Sequence, residues 1–218
     1  MTKKHSIHNL FFTFITDRNL CKRSLFDTVV SVLKGGVKTV QMREKDLTTD
    51  ALHSLARELR KITLDFKANL IINDRVDIAL AVEADGVHLG WQSLPYPVVR
   101  KLLGREKLIG VSTHNSREAL QARDNQADYI TFGPIFPTPS KAGLLEPTGP
   151  DIIKKLKSEI QIPIIALGGI HEKDVETVMT KGADGIAVIS SITLAGDPED
   201  TARRICQKIE MTKKLITL

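Results

Sequence analysis

The sequence predicts a single (β/α)8 barrel. Short apolar runs alternate with amphipathic segments eight times along 218 residues, the rhythm of strand–helix units on a parallel sheet. The runs are apolar at successive positions, as in strands covered on both sides. Three of them open alike, on Ala84-Asp85-Gly86, Ala127-Asp128 and Ala183-Asp184-Gly185. An open doubly wound sheet is the competing architecture, but no GxGxxG follows the first strand. No linker or composition shift divides the chain. Residues 10–218 read as one domain behind a loose leader, residues 1–9.

Each element follows from local signals. Leu10 to Thr16 is a first strand, near-continuous in apolar and aromatic residues. Leu25, Val29, Val32 and Leu33 have helical spacing, with Ser24 as N-cap and Gly35-Gly36 as the stop. Val37 to Met42 is the second strand. Thr48 or Thr49 opens a long helix with Leu52, Leu55, Ala56, Leu59 and Ile62 on one face. Leu70 to Ile72 is the third strand and Val76 to Val82 a short helix. Asp85 to Leu89 is the fourth strand, broken by Gly90. A helix over Pro97 to Leu103, from as early as Pro95, leads to a fifth strand, Leu108 to Val111. Asn115 or Ser116 caps a helix through Arg123.

Asp128 to Phe132 is the sixth strand, stopped by Gly133-Pro134. Pro150 suits the first turn of a helix through Ile160. Ile162 to Leu167 is the seventh strand, ending at Gly168-Gly169. After a helix over Glu172 to Thr180, Asp184 to Ile189 is the eighth strand, and Asp200 to Lys214 the last helix.

Composition is that of a soluble globular protein. The net charge is +5, with basic residues spread along the chain. Lys3-Lys4 and Lys154-Lys155 read as solvated faces, so no nucleic-acid partner is expected. Cys21 and Cys206 are far apart and form no CxxC pair, which suggests a reducing compartment without disulfide or structural metal. Leu10 to Ile15 is too short to span a membrane. A cytoplasmic protein without membrane contact is expected, and a homo-oligomer is allowed.

In such a barrel the active site lies at the C-terminal ends of the strands, and the polar residues collect there. Gln41, Arg43 and Lys45 follow strand two; Asn73 and Asp74 follow three; Ser112 and His114 follow five. Thr138, Ser140 and Lys141 follow six, Gly168 and Gly169 seven, and Ser190 eight. Gly168-Gly169 with Ile189-Ser190 match the phosphate site of the last two loops; the plainer reading is turn glycines and a capping serine. Arg43, Lys45 and Lys141 form a second cationic set suited to a diphosphate. Two anionic sites at one mouth suggest two phosphorylated small-molecule substrates. Asp74 is a candidate Mg2+ ligand shared with the diphosphate, or a helix cap before Arg75.

Seven stretches together resemble the thiamine phosphate synthase family: VQMREK (Val40 to Lys45), INDRVDIAL (Ile72 to Leu80), ADGVHLG (Ala84 to Gly90), IGVSTH (Ile109 to His114), FGPIFPTPSK (Phe132 to Lys141), LGGI (Leu167 to Ile170) and ADGIAVISSI (Ala183 to Ile192). The resemblance runs from about Phe12 to the last helix. It implies a transferase of thiamine biosynthesis that joins an aminomethylpyrimidine diphosphate to a thiazole phosphate and releases pyrophosphate. It implies that Gln41, Met42, Arg43, Glu44, Lys45, Asn73, Ser112 and Lys141 hold the pyrimidine diphosphate. Thr138, Pro139, Ser140, Gly169, Ile189 and Ser190 would hold the thiazole phosphate. Arg43, Ser112 and Lys141 are expected at the reacting centre, and Asp74 as a ligand of the cofactor Mg2+. The implied mechanism is dissociative and needs positioning and charge neutralisation more than a base.

One stretch departs from the family pattern. Where the family has Gly-Gln, one more residue and a second Mg2+-binding Asp, this chain has Gly90-Trp91-Gln92-Ser93. A neutral hydroxyl is a poorer ligand for a hard cation. The alternatives are a thiazole tautomerase of the same superfamily, with His114 as acid–base group, and a non-catalytic precursor-binding relative. The intact diphosphate set counts against both.

Overall fold

β1 (Phe12–Ile15) pairs in parallel with β2 (Thr39–Met42) on one side and β8 (Gly185–Val188) on the other. That second pairing closes the sheet into an eight-stranded barrel in chain order. Between them run β3 (Asn69–Asn73), β4 (Gly86–Leu89), β5 (Leu108–Thr113), β6 (Tyr129–Phe132) and β7 (Ile164–Leu167). The computed structural model describes residues 7–139 and 143–217. The (β/α)8 barrel read from the sequence is the fold.

Three of the helices that cover the barrel begin at side-chain caps their sequences offer. Ser24 accepts Asp27 N–H ahead of α1 (Leu25–Lys34), and Thr48 accepts Ala51 N–H ahead of α2 (Thr49–Asp65). α3 (Val76–Ala81) and α4 (Tyr96–Leu103) have no side-chain cap. Asn115 accepts Glu118 N–H ahead of α5 (Ser116–Asp124). α6 (Asp151–Glu159), α7 (Val175–Thr180), a four-residue α8 (Ser190–Thr193) and α9 (Pro198–Thr217) complete the layer. No local signal in the sequence marks α8. None of the described helices is long and apolar enough to cross a membrane.

Alternation along each strand splits the core in two. Phe12, Phe14, Val40, Leu70, Ile72 and Val87 pack outward against helices. Ile15, Ile71, Leu108, Tyr129, Ile165 and Ala187 fill the barrel, with Leu10 below them. The interior also buries Thr13, Thr39, Gln41, Asn69, His88 and Thr131. Its floor is a 3-10 turn, Asn9–Phe11, whose Asn9 carbonyl accepts Thr39 Oγ1–H at 2.9 Å. That turn is why β1 starts at Phe12 instead of Leu10.

The recurring Ala-Asp openings have a structural cause. Asp85 Oδ2 accepts Leu70 N–H at 2.8 Å and the Arg60 guanidinium at 2.7 Å. Asp128 does the same with Ile109 N–H (2.8 Å) and Arg100 (2.6 Å). Asp184 accepts Ile164 N–H (2.8 Å) and Lys157 (2.7 Å). Each carboxylate thus staples an even-numbered strand to the odd one before it, and a cation from the helix that leads into that odd strand neutralises it.

Candidate active site

All eight strands are parallel, so their C-terminal ends share one rim. The sites read from the sequence divide into two arcs of it. Gln41 to Lys45, Asn73, Asp74 and Ser112 belong to β2, β3 and β5 or their loops. Thr138, Pro139, Gly168, Gly169, Ile189 and Ser190 follow the contiguous strands β6, β7 and β8. β1 lies between β8 and β2 and joins the arcs.

The first arc is built by a latch between neighbouring loops. Fully buried Thr16, at the end of β1, accepts Arg43 N–H on Oγ1 at 3.0 Å. Glu44 is buried, and its carboxylate accepts Arg18 N–H and the Arg18 guanidinium, each at 3.2 Å. Arg18 also grips Asp46 through two bonds of 2.5 and 2.7 Å. That guanidinium holds the Asp46 carboxyl far below the usual carboxylate range. Glu44, grouped with the substrate contacts from the sequence, faces Arg18, whereas Lys45 beside it is exposed and Arg43 half-buried.

Gln41 Nε2 donates to Asn73 Oδ1 at 3.3 Å, which ties the ends of β2 and β3 together inside the mouth. Met42 packs outward in the helix-facing core instead. Asp74 is exposed and sits at φ +66, with its N–H donated to His88 O at 2.9 Å. Left-handed backbone is tolerated by Asp but carries strain. It does not serve as the cap of α3: the N-cap residue is Arg75, and no side chain caps that helix. Arg75 itself pairs with Asp77.

Ser112 lies within β5, one residue before its end, because that strand runs two residues past the apolar stretch. Its Oγ is 3.0 Å from His88 Nε2. Thr131 Oγ1 is 3.1 Å from the same nitrogen, and Tyr129 Oη is 3.2 Å from His88 Nδ1. Burial, reinforced by the charge of Arg43, pushes the His88 pKa down to about 3, so its ring is neutral. Burial pushes the Tyr129 phenol up.

The second arc depends on glycine. A Cβ on Gly133 would lie 2.0 Å from Leu167 O, so the turn after β6 is pressed against β7. Ile135 N–H and Phe136 N–H donate to Leu167 O and Gly168 O. Gly169 has φ +63, and a Cβ there would meet Pro137 O at 2.5 Å. The segment leading to Thr138 and Pro139 is therefore held directly over the Gly168-Gly169 turn. Ile189 and Ser190 start α8 beside it, and among the described residues only Ser191 Oγ is a buried side-chain polar atom without a partner. Ser140 and Lys141 lie outside the described residues.

Other candidates fall elsewhere. His114 Nδ1 is 3.0 Å from Glu118 Oε2, and the same oxygen accepts His114 N–H, which makes it part of the start of α5. Trp91 is 87% exposed. Ser93 Oγ accepts Gly90 N–H at 2.8 Å, which closes a turn where a carboxylate was absent from the sequence. No group of three His, Cys, Asp or Glu that would hold a metal occurs among the described residues. A groove of about 500 Å3 lined by Lys154, Lys157 and Lys181 lies at the C-terminal ends of α6 and α7, away from the rim. Asp184 and Asp151 neutralise two of those lysines.

Sequence reasoning does not single out Thr16, Arg18, Asp46, His88, Tyr129 or Thr131 as site residues. Thr16-Asp17-Arg18 was visible as a polar end to the first strand. Nothing in the spacing linked Arg18 to Glu44, which is 26 residues away.

A family model described as thiamine monophosphate synthase matches residues 12–192. The chain is 50% identical over 192 residues to a putative thiamine-phosphate synthase of Geobacter sulfurreducens, covering 88% of this chain and 90% of that one. It is 44% identical over 194 residues to a thiamine-phosphate synthase of Syntrophomonas wolfei, covering 88% and 93%. A solved thiamine phosphate pyrophosphorylase from Pyrococcus furiosus superposes with a TM-score of 0.86 at 34% identity, over 94% of this chain and 98% of the other.

Proposed function

The chain belongs to the thiamine monophosphate synthase family, and from that premise we propose that it is a transferase condensing an aminomethylpyrimidine diphosphate with a thiazole phosphate. The products are thiamine phosphate and pyrophosphate. The bond from the pyrimidine methylene carbon to the diphosphate oxygen breaks, and the electron pair leaves with the diphosphate. The aminopyrimidine ring stabilises the cation left behind, and the thiazole nitrogen supplies the pair for the new C–N bond.

One observation supports this reading: the candidate residues after β2, β3 and β5 and those after β6, β7 and β8 lie on two arcs of one rim, joined across β1. A single-substrate phosphate enzyme needs only the arc of β6 to β8. Here Arg43 and Lys45 form a second cationic set, held by the Thr16 and Arg18 latch. Gln41 and Asn73 offer amides for the pyrimidine end. Ser112 donates to the diphosphate, and Lys141 completes the charge neutralisation. Gly169, Ser190 and the residues Thr138, Pro139 and Ser140 hold the thiazole phosphate with backbone N–H groups and hydroxyls. No protein base is required.

Asp74 offers one exposed carboxylate at the end of β3, and Mg2+ is commonly bound by one or two carboxylates plus substrate phosphates. That donor set fits an ion shared with the diphosphate, with Asp74 as its protein ligand. When bound, Mg2+ supplies neutralisation of the leaving group. We place the reaction in the cytoplasm, where both free cysteines stay reduced.

The direct test is to incubate purified protein with both phosphorylated halves, with and without Mg2+. Thiamine phosphate and pyrophosphate in equal amounts are expected. No condensation with Mg2+ present, together with proton exchange on a thiazole carboxylate phosphate, overturns the reading in favour of a tautomerase.

A further inference from the structure

We propose that the buried chain Tyr129–His88–Ser112 fixes the neutral imidazole as its Nε2–H tautomer and thereby makes the Ser112 hydroxyl an outward-facing donor. Tyr129 and His88 are positioning residues, and the inference rests on the reading of Ser112 as a diphosphate contact.

The geometry is set by the sheet register. His88 lies beside Gly110, and Gly110 beside Tyr129. A Cβ on Gly110 would come within 2.5 Å of His88 Nδ1 and 2.1 Å of Tyr129 Cζ. Glycine is what lets the two rings meet across the strand between them, with centroids 5.5 Å apart.

Proton bookkeeping gives the tautomer. The Tyr129 hydroxyl is enclosed in the barrel interior, and its one hydrogen-bond partner among the described residues is His88 Nδ1. A buried phenol proton with no acceptor is costly, so Tyr129 donates and Nδ1 accepts. The ring's single N–H then lies on Nε2, which faces Ser112 Oγ at 3.0 Å and Thr131 Oγ1 at 3.1 Å. One N–H can be shared between two acceptors, whereas the opposite tautomer offers one lone pair to two hydroxyl donors. With its oxygen receiving the imidazole proton, half-buried Ser112 turns its own O–H toward the mouth. A donor held there before the substrate arrives favours an anionic oxygen and needs no reorientation when charge develops on the leaving group.

The test has two parts. Nitrogen NMR of 15N-histidine-labelled protein without substrates is expected to show His88 protonated on Nε2 near neutral pH. Protonation on Nδ1 overturns the inference, whatever the protein catalyses. In the second part, His88→Gln and Tyr129→Phe are each combined with Ser112→Ala. Tyr129→Phe keeps the ring's packing and serves if His88→Gln does not fold. Each single change is expected to lower kcat, by about fivefold for Tyr129→Phe and about tenfold or more for His88→Gln, and to add nothing once Ser112 is alanine. Equal losses in both backgrounds overturn the relay. Absence of condensation in the unaltered protein refutes the synthase reading and leaves the NMR result standing.

Discussion

Thr16 Oγ1 accepts the backbone N–H of Arg43 at 3.0 Å, so the residue proposed to face the diphosphate is hung from the neighbouring strand. Thr16→Val keeps the shape and leaves that N–H without its partner, at a cost of about 1–3 kcal/mol. The expected kinetic effect is a raised KM for the pyrimidine diphosphate with little change in KM for the thiazole phosphate. Steady-state rates with each substrate varied in turn check it; equal rises in both constants contradict it.

His88 gives stability a pH dependence. Its pKa is about 3 in the folded chain against an ordinary 6.5, from burial first and the Arg43 charge second. Below pH 6.5 the unfolded chain takes up a proton that the folded chain refuses until about pH 3. This contribution is therefore whole above pH 6.5 and is lost as pH falls toward 3, by up to about 1.4 kcal/mol per pH unit. Denaturant titrations from about pH 7 to pH 5 should give a steeper loss for the unaltered protein than for His88→Gln. Parallel curves contradict the assignment.

Asp85 joins β3 to β4 and neutralises Arg60, whose side chain is only 16% exposed. Asp85→Ala strands both the Leu70 N–H and a mostly buried guanidinium. A loss of about 3 kcal/mol is expected. At Asp184, where both partners are 37% exposed, the same change should cost less, because water screens that pair. Unfolding free energies of the two variants make the comparison, and a larger loss at Asp184 contradicts it.

Ser93 occupies the turn where the family pattern has a second Mg2+ carboxylate. Ser93→Asp should lower the Mg2+ concentration that gives half-maximal turnover, by roughly tenfold for one added hard ligand. A magnesium titration of both proteins measures this. An unchanged midpoint would show that position 93 lies outside the ion's reach.

Much of this was legible because the barrel repeats one local rule. Apolar runs, caps at Ser24, Thr48 and Asn115, and glycine stops each report on their own few residues, and the closed barrel follows from eight of them. Grouping polar residues by strand end located the rim in the same way. What escaped was carried by contacts between distant residues. Arg18 reaches Glu44 across 26 positions and Tyr129 reaches His88 across 41; no periodicity encodes either. The apolar look of the strands also hid a polar barrel interior, since Thr39, Gln41 and His88 alternate with residues that face helices.

A crystal structure with pyrophosphate and thiazole phosphate bound together is the most direct measurement. Pyrophosphate is expected against Arg43, Lys45 and Ser112, and the thiazole phosphate against Gly169 and Ser190, side by side on one rim. Anions bound on different faces, or the thiazole phosphate seated on Arg43, would contradict the account.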